Sequence, residues 1–292
     1  MQRTIRQNLS AAQSLGLERL DAQLLLLEAL GRSHSERAWL LAHDDDAVAE
    51  VATQCFEQFC QRCAAGEPLA YIVGCQEFFG LRFNVDARVL VPRPDTETLV
   101  QWVLDVLPTD QETPVRILDL GTGSGAVALS VAYHIQKMDL QASVVALDAS
   151  SDALDVARHN ALALCLQPWV QFFHSDWFEK VTGQFAIIAS NPPYIASQDS
   201  HLDALVHEPL QALAAGADGL DDIRHIVQTA PAYLEQGGWL VLEHGFDQAV
   251  QVCDLLNRRG YQSVQSRTDL AGRLRCSAGQ WGVGKTVREG PE

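Results

Sequence analysis

Apolar positions fall into two regimes along the chain. Up to residue 67 they recur at helical spacing. Ile5, Leu9 and Ala12 share one face, Leu17, Leu20, Leu24, Leu27 and Leu30 continue a stripe as far as Gly31, and Phe56, Phe59 and Cys63 share a face within 48–65. Thr4-Ile5-Arg6-Gln7 reads as a capped helix start. A short helix is expected over 34–42 and a longer one over 48–65, stopping at Gly66. Asp44-Asp45-Asp46 between them reads as a solvated helix N-terminus. Gly66-Glu67-Pro68 breaks the pattern, and short β-like runs follow: Tyr71-Ile72-Val73-Gly74, Glu77-Phe78-Phe79-Gly80 and Leu81-Arg82-Phe83-Asn84-Val85, with Gly80 at a hairpin turn. Val89-Leu90-Val91 then leads into Pro92-Arg93-Pro94-Asp95-Thr96-Glu97, where Asp95 or Thr96 can cap a helix over 98–107.

From residue 115 the regime changes. Strand-length apolar runs at 115–120, 143–148, 170–174, 185–189 and 238–243 alternate with helical stripes at 124–136, 153–166, 221–234 and 247–259. A final pair, 261–266 and 273–277, reads as a hairpin. This alternation predicts an α/β fold built on a parallel sheet with helices on both faces. The expected division is a helical unit for docking or substrate recognition (1–67), a β-hairpin connector (68–94), an α/β domain (95–279) and a polar, Gly-rich, disordered tail (280–292).

Composition narrows the function classes. The 292 residues are 47% hydrophobic and 20% charged, and 21 basic against 37 acidic side chains leave a net charge of −16. Such a chain is a poor non-specific binder of nucleic acid, because phosphate contacts need Lys and Arg. It has neither a charged-then-apolar leader nor an apolar run long enough to span a bilayer, so a cytoplasmic location without membrane partners is expected. The seven cysteines are odd in number and scattered, which reads as reduced thiols. Cys55, Cys60 and Cys63, with Cys75, match the spacing of an iron–sulfur ligand set. They fall in a helical stripe rather than a Gly-rich loop, so buried thiols are the preferred reading and no metal is expected. The nine histidines show no metal-ligand spacing.

The chemistry concentrates at four strand ends. Asp119-Leu120-Gly121-Thr122-Gly123-Ser124-Gly125 leaves a strand and opens a helix, where glycines let a ligand approach the backbone. Alone it is ambiguous: Gly121-x-Gly123-x-x-Ala126 also fits a dinucleotide fingerprint, and Asp148 at the next strand end suits a ribose in either case. Asp119 tips the balance, since a carboxylate suits a cationic amino or sulfonium ligand and repels a pyrophosphate. Ser175-Asp176-Trp177 offers a hydrogen bond and a stacking face for a purine. After the fourth strand comes Asn191-Pro192-Pro193-Tyr194. Its prolines remove two backbone donors, Asn191 brings an amide and Tyr194 a ring, a set suited to a planar NH2 group and not needed for hydride transfer.

Together, Asp119 through Gly125, Asp148, Asp176 and Asn191 through Tyr194 resemble a class I S-adenosylmethionine-dependent methyltransferase acting on an NH2 group. The resemblance implies a seven-stranded Rossmann-like sheet with an antiparallel last strand. The Asn-Pro-Pro-Tyr turn is shared by adenine-N6 and glutamine-N5 methyltransferases. Gly66-Glu67-Pro68-Leu69-Ala70-Tyr71, Glu77-Phe78-Phe79-Gly80, Leu90-Val91-Pro92-Arg93-Pro94-Asp95-Thr96-Glu97, Glu208-Pro209 and Leu242-Glu243-His244-Gly245 narrow the match. They are similar to the peptide chain release factor glutamine methyltransferase (PrmC/HemK) family, over nearly the whole chain to about Gly279.

What the resemblance implies is N5 methylation of the glutamine in the Gly-Gly-Gln motif of class-1 release factors. S-adenosyl-L-methionine would be the donor and S-adenosyl-L-homocysteine the product. Gly121, Thr122, Gly123, Ser124 and Gly125 would surround the methionine part, Asp148 the ribose and Trp177 the adenine, with Asp119 and Asp176 in support. Arg93 and Pro94 would close over the cofactor, and Glu97 would support Asn191 or the glycine loop. Asn191 and the Pro192 carbonyl would accept the substrate amide protons, with Pro193 beside them and Tyr194 packed on the amide plane. The acidic surface suits a basic, ribosome-binding partner, a monomer is expected, and no direct nucleic-acid contact. The competing reading, an adenine-N6 nucleic-acid methyltransferase, shares the NH2 chemistry but calls for a basic groove. Two departures fall beside the site: the segment between Tyr194 and Glu208 is shorter than the family's pattern, and His207 stands where an aromatic is expected.

Overall fold

A computed structural model describes residues 2–109 and 114–282 and divides between Cys75 and Gln76 into two units. The first unit is helical: α1 (Ile5–Ser14), α2 (Arg19–Ala29), α3 (Arg37–Ala42, preceded by a 3-10 turn, His34–Glu36), α4 (Glu50–Ala64) and α5 (Leu69–Val73). The capping box forms at its start: Thr4 Oγ1 accepts from Gln7 N at 3.3 Å and Gln7 Oε1 from Thr4 N at 3.0 Å. Leu25, Leu26, Leu27, Leu40 and Phe56 are fully buried in one core. Two expectations are corrected here. Asp44-Asp45-Asp46 does not start α4. It is a turn whose Asp44 and Asp46 carbonyls accept from Arg6 N and Ile5 N, at 2.8 and 3.0 Å, while the Asp44 carboxylate pairs with Arg6 at 2.6 Å. Tyr71-Ile72-Val73 is one helical turn rather than a strand, closed by Gly74 in the left-handed region at φ 71°. Ile72 is buried by that turn and Val73 half-buried, which overrides their strand preference. The α4 thiols are free, and burial pushes Cys60 up to about 12.

In the second unit the hairpin β1 (Cys75–Phe78) and β2 (Leu81–Asn84) turns at Phe79-Gly80. It is pinned from a distance: Phe79 N donates to Glu97 Oε1 at 2.9 Å, and Asn84 N to Asn160 Oδ1 at 2.8 Å. Val89 to Val91 forms no strand. After a 3-10 turn, Pro94–Thr96, comes α6 (Glu97–Asp105). The sheet strands are β3 (Val115–Leu120), β4 (Ala142–Asp148), β5 (Val170–His174), β6 (Phe185–Ser190), β7 (Leu234–Glu243), β8 (Gln262–Thr268) and β9 (Leu274–Gln280). The helices between them are α7 (Ala126–Lys137), α8 (Ser151–Ala163), α9 (Asp221–Thr229) and α10 (Ala249–Arg259). The helix expected over 221–234 is cut short: Pro231 sits in a 3-10 turn and β7 already begins at Leu234.

The seven strands lie in the order β5-β4-β3-β6-β7-β9-β8. Neighbours from β5 to β7 are parallel, and β9 runs antiparallel between β7 and β8. The central strand β6 is buried at every position, as its Phe-Ala-Ile-Ile-Ala run requires between two helical layers. β8, at the edge, is Gln/Ser/Thr-rich and alternates in exposure. Register decides where the chemistry lands. Leu120 pairs with Leu147 on β4 and Ser190 on β6, so β3, β4 and β6 end level with one another and their following loops share one edge. Ser190 Oγ donates to the Leu120 carbonyl at 2.7 Å and ties two of those ends together. Residues 283–292, most of the expected disordered tail, lie outside the described residues, and β9 continues through Gln280. Among the described residues no helix is long and apolar enough to cross a membrane.

Candidate active site

The loops after β3, β4, β5 and β6 enclose a cavity of about 280 Å³ at the carboxyl edge of the sheet, where open α/β sheets bind their ligands. Of the residues singled out from the sequence, Arg93, Asp119, Gly121, Thr122, Gly123, Ser124, Asp148, Asp176, Trp177, Asn191 and Pro193 line it. Gly125, Pro192 and Tyr194 do not. Gly125 sits at φ 83°, where an added Cβ would stand 2.9 Å from Leu129 and 3.3 Å from Ala157, so its place is the close approach that starts α7. Pro192 is buried, and Tyr194 packs against the sheet core with its hydroxyl donating to Glu243 Oε1 at 3.3 Å.

Three backbone N–H groups of the glycine loop are already engaged from within. Thr122 N donates to the Leu147 carbonyl, Gly125 N to the Thr122 carbonyl, and Gly123 N to Asp148 Oδ2, each at 2.8 Å. Ala128 N donates to Asp119 Oδ2 at 3.2 Å, and Thr122 Oγ1 to the same oxygen at 2.7 Å. A pyrophosphate needs those N–H groups free. The four carboxylates in the wall, Asp119, Asp148, Asp176 and Asp222, face two guanidiniums, Arg88 and Arg93, which are both paired, with Asp86 and Glu208. The cavity therefore suits a cation and a set of hydroxyl donors, which resolves the ambiguity of the glycine motif against a dinucleotide.

Each carboxylate has a distinct environment. Asp119 is 2% exposed; burial pushes its carboxyl up to about 7 against the Thr122 and Ala128 bonds, and Oδ1 has no donor among the described residues. Asp148 is raised by burial and held back by the Ser150 and Gly123 backbone N–H groups. Its two oxygens each take one of these bonds, at 2.8 Å, and keep lone pairs for ribose hydroxyls. Trp177 adopts a left-handed φ of 41°, and an added Cβ on Gly121 would stand 3.8 Å from its ring. Its indole also favours the charged form of Asp222, a carboxylate raised by burial that the sequence did not single out.

Asn191 stands at the other end of the cavity. Its Nδ2 donates to Thr96 Oγ1 at 3.2 Å, while Oδ1 has no donor among the described residues and is open to solvent. Two supports differ from expectation. Glu97 is spent on the hairpin turn at Phe79, and Thr96 holds Asn191 in its place. Arg93 is fixed by an ion pair with Glu208, whose other oxygen accepts from Val91 N at 3.2 Å; Pro94 stands outside the lining. Glu208, Thr96 and Glu243 all sit in stretches that carried the family resemblance, but only tertiary contacts reveal what they do. Past Tyr194, residues Ile195 and Ser197 run beside 213–216 through backbone bonds of 2.8 and 2.9 Å, and a 3-10 segment, Ser200–Leu205, follows. Among the described residues no group of His, Cys, Asp and Glu is arranged to hold a metal ion.

Comparison with known proteins finds matches in both units. Residues 1–74 match the PrmC N-terminal domain and residues 95–220 the methyltransferase small domain. The chain is 44% identical over 267 residues to the release factor glutamine methyltransferase of Xylella fastidiosa strain 9a5c, covering 90% of this chain and 94% of that protein. It is 42% identical over 265 residues to the protein of the same name from Coxiella burnetii, covering 90% and 92%. Among solved structures, a methyltransferase from Pyrococcus furiosus superposes with a TM-score of 0.52 at 20% identity, over 70% of this chain and 91% of that one. The hMettl16 catalytic domain, in complex with the MAT2A 3'UTR hairpin 6, gives 0.55 at 16% identity, over 69% and 76%. At those identities the likeness extends to the fold.

Proposed function

The chain belongs to the release factor glutamine methyltransferase family, and on that premise we propose that it transfers a methyl group from S-adenosyl-L-methionine to the side-chain amide nitrogen of the Gly-Gly-Gln glutamine in class-1 peptide chain release factors. The observation that carries the reading is Asn191: its Nδ2 is engaged by Thr96, so its oxygen is the face offered to an incoming amide.

The lining residues fit the cofactor. Asp148 would accept the ribose hydroxyls, Trp177 and Asp176 would take the adenine side, Asp119 Oδ1 would face the cationic amino-acid end, and Gly121 to Ser124 would give the close approach. Bound there, S-adenosylmethionine supplies an electrophilic methyl on a sulfonium. The chain's own residues do the rest. An amide nitrogen is a weak nucleophile because its lone pair is delocalised into the carbonyl, so positioning has to compensate. Asn191 Oδ1 accepts one substrate N–H and the Pro192 carbonyl, which has no donor among the described residues, accepts the other. Two acceptors fix the nitrogen in line with the methyl and stabilise the positive charge that grows on it. Proton loss follows transfer, so a strong base is not required. Tyr194 holds the turn from behind, through Glu243 and through its carbonyl, which accepts from Gln248 Nε2 at 3.0 Å.

The test is methyl transfer from labelled S-adenosylmethionine, offered separately to release factor and to DNA. Label is expected on release factor, with Asn191→Ala lowering kcat by about 10²-fold while S-adenosylhomocysteine binding persists. Label on DNA alone would sink the substrate assignment, and undiminished transfer by the Ala variant would sink the role of Asn191.

A further inference from the structure

An asparagine amide has two unlike faces. Turning it half over exchanges Oδ1 for Nδ2 and would present the substrate nitrogen with donors instead of an acceptor. Something must choose the face. The neighbour in position is Thr96, 4% exposed, whose Oγ1 accepts from Asn191 Nδ2 at 3.2 Å. Asp95 and Thr96 stand where a cap for α6 was expected, yet no side-chain capping bond forms there, and Asp95 pairs instead with Arg275 at 2.9 Å. The Thr96 hydroxyl is thus available for the site.

A hydroxyl has one proton, so whichever neighbour takes it leaves lone pairs for the other. Beyond Thr96 lies Glu243, fully buried at the end of β7. Its Oε1 receives the Tyr194 hydroxyl, and its Oε2 is buried without a hydrogen-bond partner among the described residues. Thr96, Arg275 and Tyr194 all favour the charged carboxylate, while burial and Asp95 oppose it. We propose that Thr96 and Glu243 are positioning residues for the methyl transfer: the carboxylate takes the Thr96 proton, and the hydroxyl lone pairs then fix Asn191 with Oδ1 toward the substrate. This deepens the reading given above and rests on Asn191 accepting the substrate amide. Protonated Glu243 becomes a donor itself, frees the Thr96 proton and favours the reversed amide. The titratable or charged groups that face Glu243 are Asp95 from the 3-10 turn, Tyr194 from the Pro-Pro turn, and Arg275 and Cys276 from β9. With burial pushing Glu243 up to about 7, both forms are within reach near neutrality.

The test uses the full chain labelled with ¹⁵N-asparagine, without substrate. The Asn191 side-chain NH2 signal is expected to move between about pH 6 and about pH 8 in the unmodified protein and to stay still in Glu243→Gln. Thr96→Val should also remove the movement, and Thr96→Ser should keep it. In turnover, Thr96→Val should lower kcat by about 10-fold or more, with S-adenosylhomocysteine affinity within about 2-fold, and Thr96→Ser should restore kcat. A motionless Asn191 signal in the unmodified protein would overturn the proposal. So would a Val variant with near-normal kcat, a Ser variant as impaired as Val, or loss of S-adenosylhomocysteine binding alongside kcat. A titrating Asn191 signal in a protein that does not label release factor would instead count against the substrate, leaving the positioning role intact.

Discussion

Asp119 is a carboxylate kept where carboxylates are hard to keep. It is 2% exposed and raised by burial to about 7, well above its ordinary 3.8. A raised acid binds its proton more tightly in the folded chain than in the unfolded one. Its contribution is therefore present below the ordinary value and is lost as pH rises through about 7. Asp119→Asn removes that loss while its amide oxygen can still accept from Thr122 and Ala128. The ligand-free variant should melt above the unmodified protein by about 4 °C or more at about pH 8, with the gap closing toward about pH 5. Its affinity for S-adenosylmethionine should fall, since the ligand's cation loses its counter-charge. Melting curves against pH check the first part and calorimetry the second; a variant less stable at about pH 8 overturns the account. Residues of this kind were legible because each stands at or just past the end of a strand. Thr96, Glu208, Glu243 and Asp222 were not, since what they do depends on partners far along the chain that no local pattern names: Glu208 holds Arg93 and Val91, 115 and 117 residues away, Thr96 holds Asn191, 95 residues away, and Glu243 receives Tyr194, 49 residues away.

Elements were legible where burial reinforces period. β3, buried at every position but one, has the ends expected of it; β5, exposed over most of its length, was legible instead from the strand-favouring run Val170-Gln171-Phe172-Phe173. The misreadings fall where tertiary packing or proline overrides a short signal: the helical turn α5 with its β-branched residues, and α9, cut by Pro231 before β7. The element that matters most to the chemistry is the turn after β6, and its position is set by a glycine the sequence did not single out. Gly219, just before α9, has φ +74°, and an added Cβ would stand 2.2 Å from the Tyr194 carbonyl oxygen and 2.9 Å from Gln248 Nε2. The obstacle is backbone, so the turn itself must shift. Gly219→Ala is expected to destabilise the fold by about 2–4 kcal/mol. It should lower kcat by about 10-fold or more, because an ångström of misplacement at Asn191 suffices for that. The glycine loop after β3 does not depend on Gly219, so S-adenosylhomocysteine affinity should stay within about 3-fold. Equal losses in kcat and in that affinity would show that the two ends of the cavity move together and that the turn is not separately anchored.

At the scale of the molecule the dominant feature is charge. With 21 basic and 37 acidic side chains, a net charge of −16 has to be reconciled with a macromolecular substrate. Nucleic acid would be repelled at long range, whereas a ribosome-binding protein presents basic surface that this field attracts. The cofactor meets different physics. It binds within a cavity where Asp119 is buried and Asp148 is held by backbone donors, and salt screens such contacts far less than exposed ones. The two binding steps should therefore separate by ionic strength. Between about 50 mM and about 300 mM salt, KM for release factor should rise about 10-fold, through slower association, while the affinity for S-adenosylmethionine changes by less than about 2-fold. Steady-state kinetics at a series of salt concentrations, paired with calorimetry of the cofactor, makes the measurement. A KM that does not respond to salt would mean that docking is carried by apolar contacts rather than by the acidic surface. A KM that falls with salt would mean that the surface facing the partner repels it, and that the charge of this chain serves some purpose other than substrate capture.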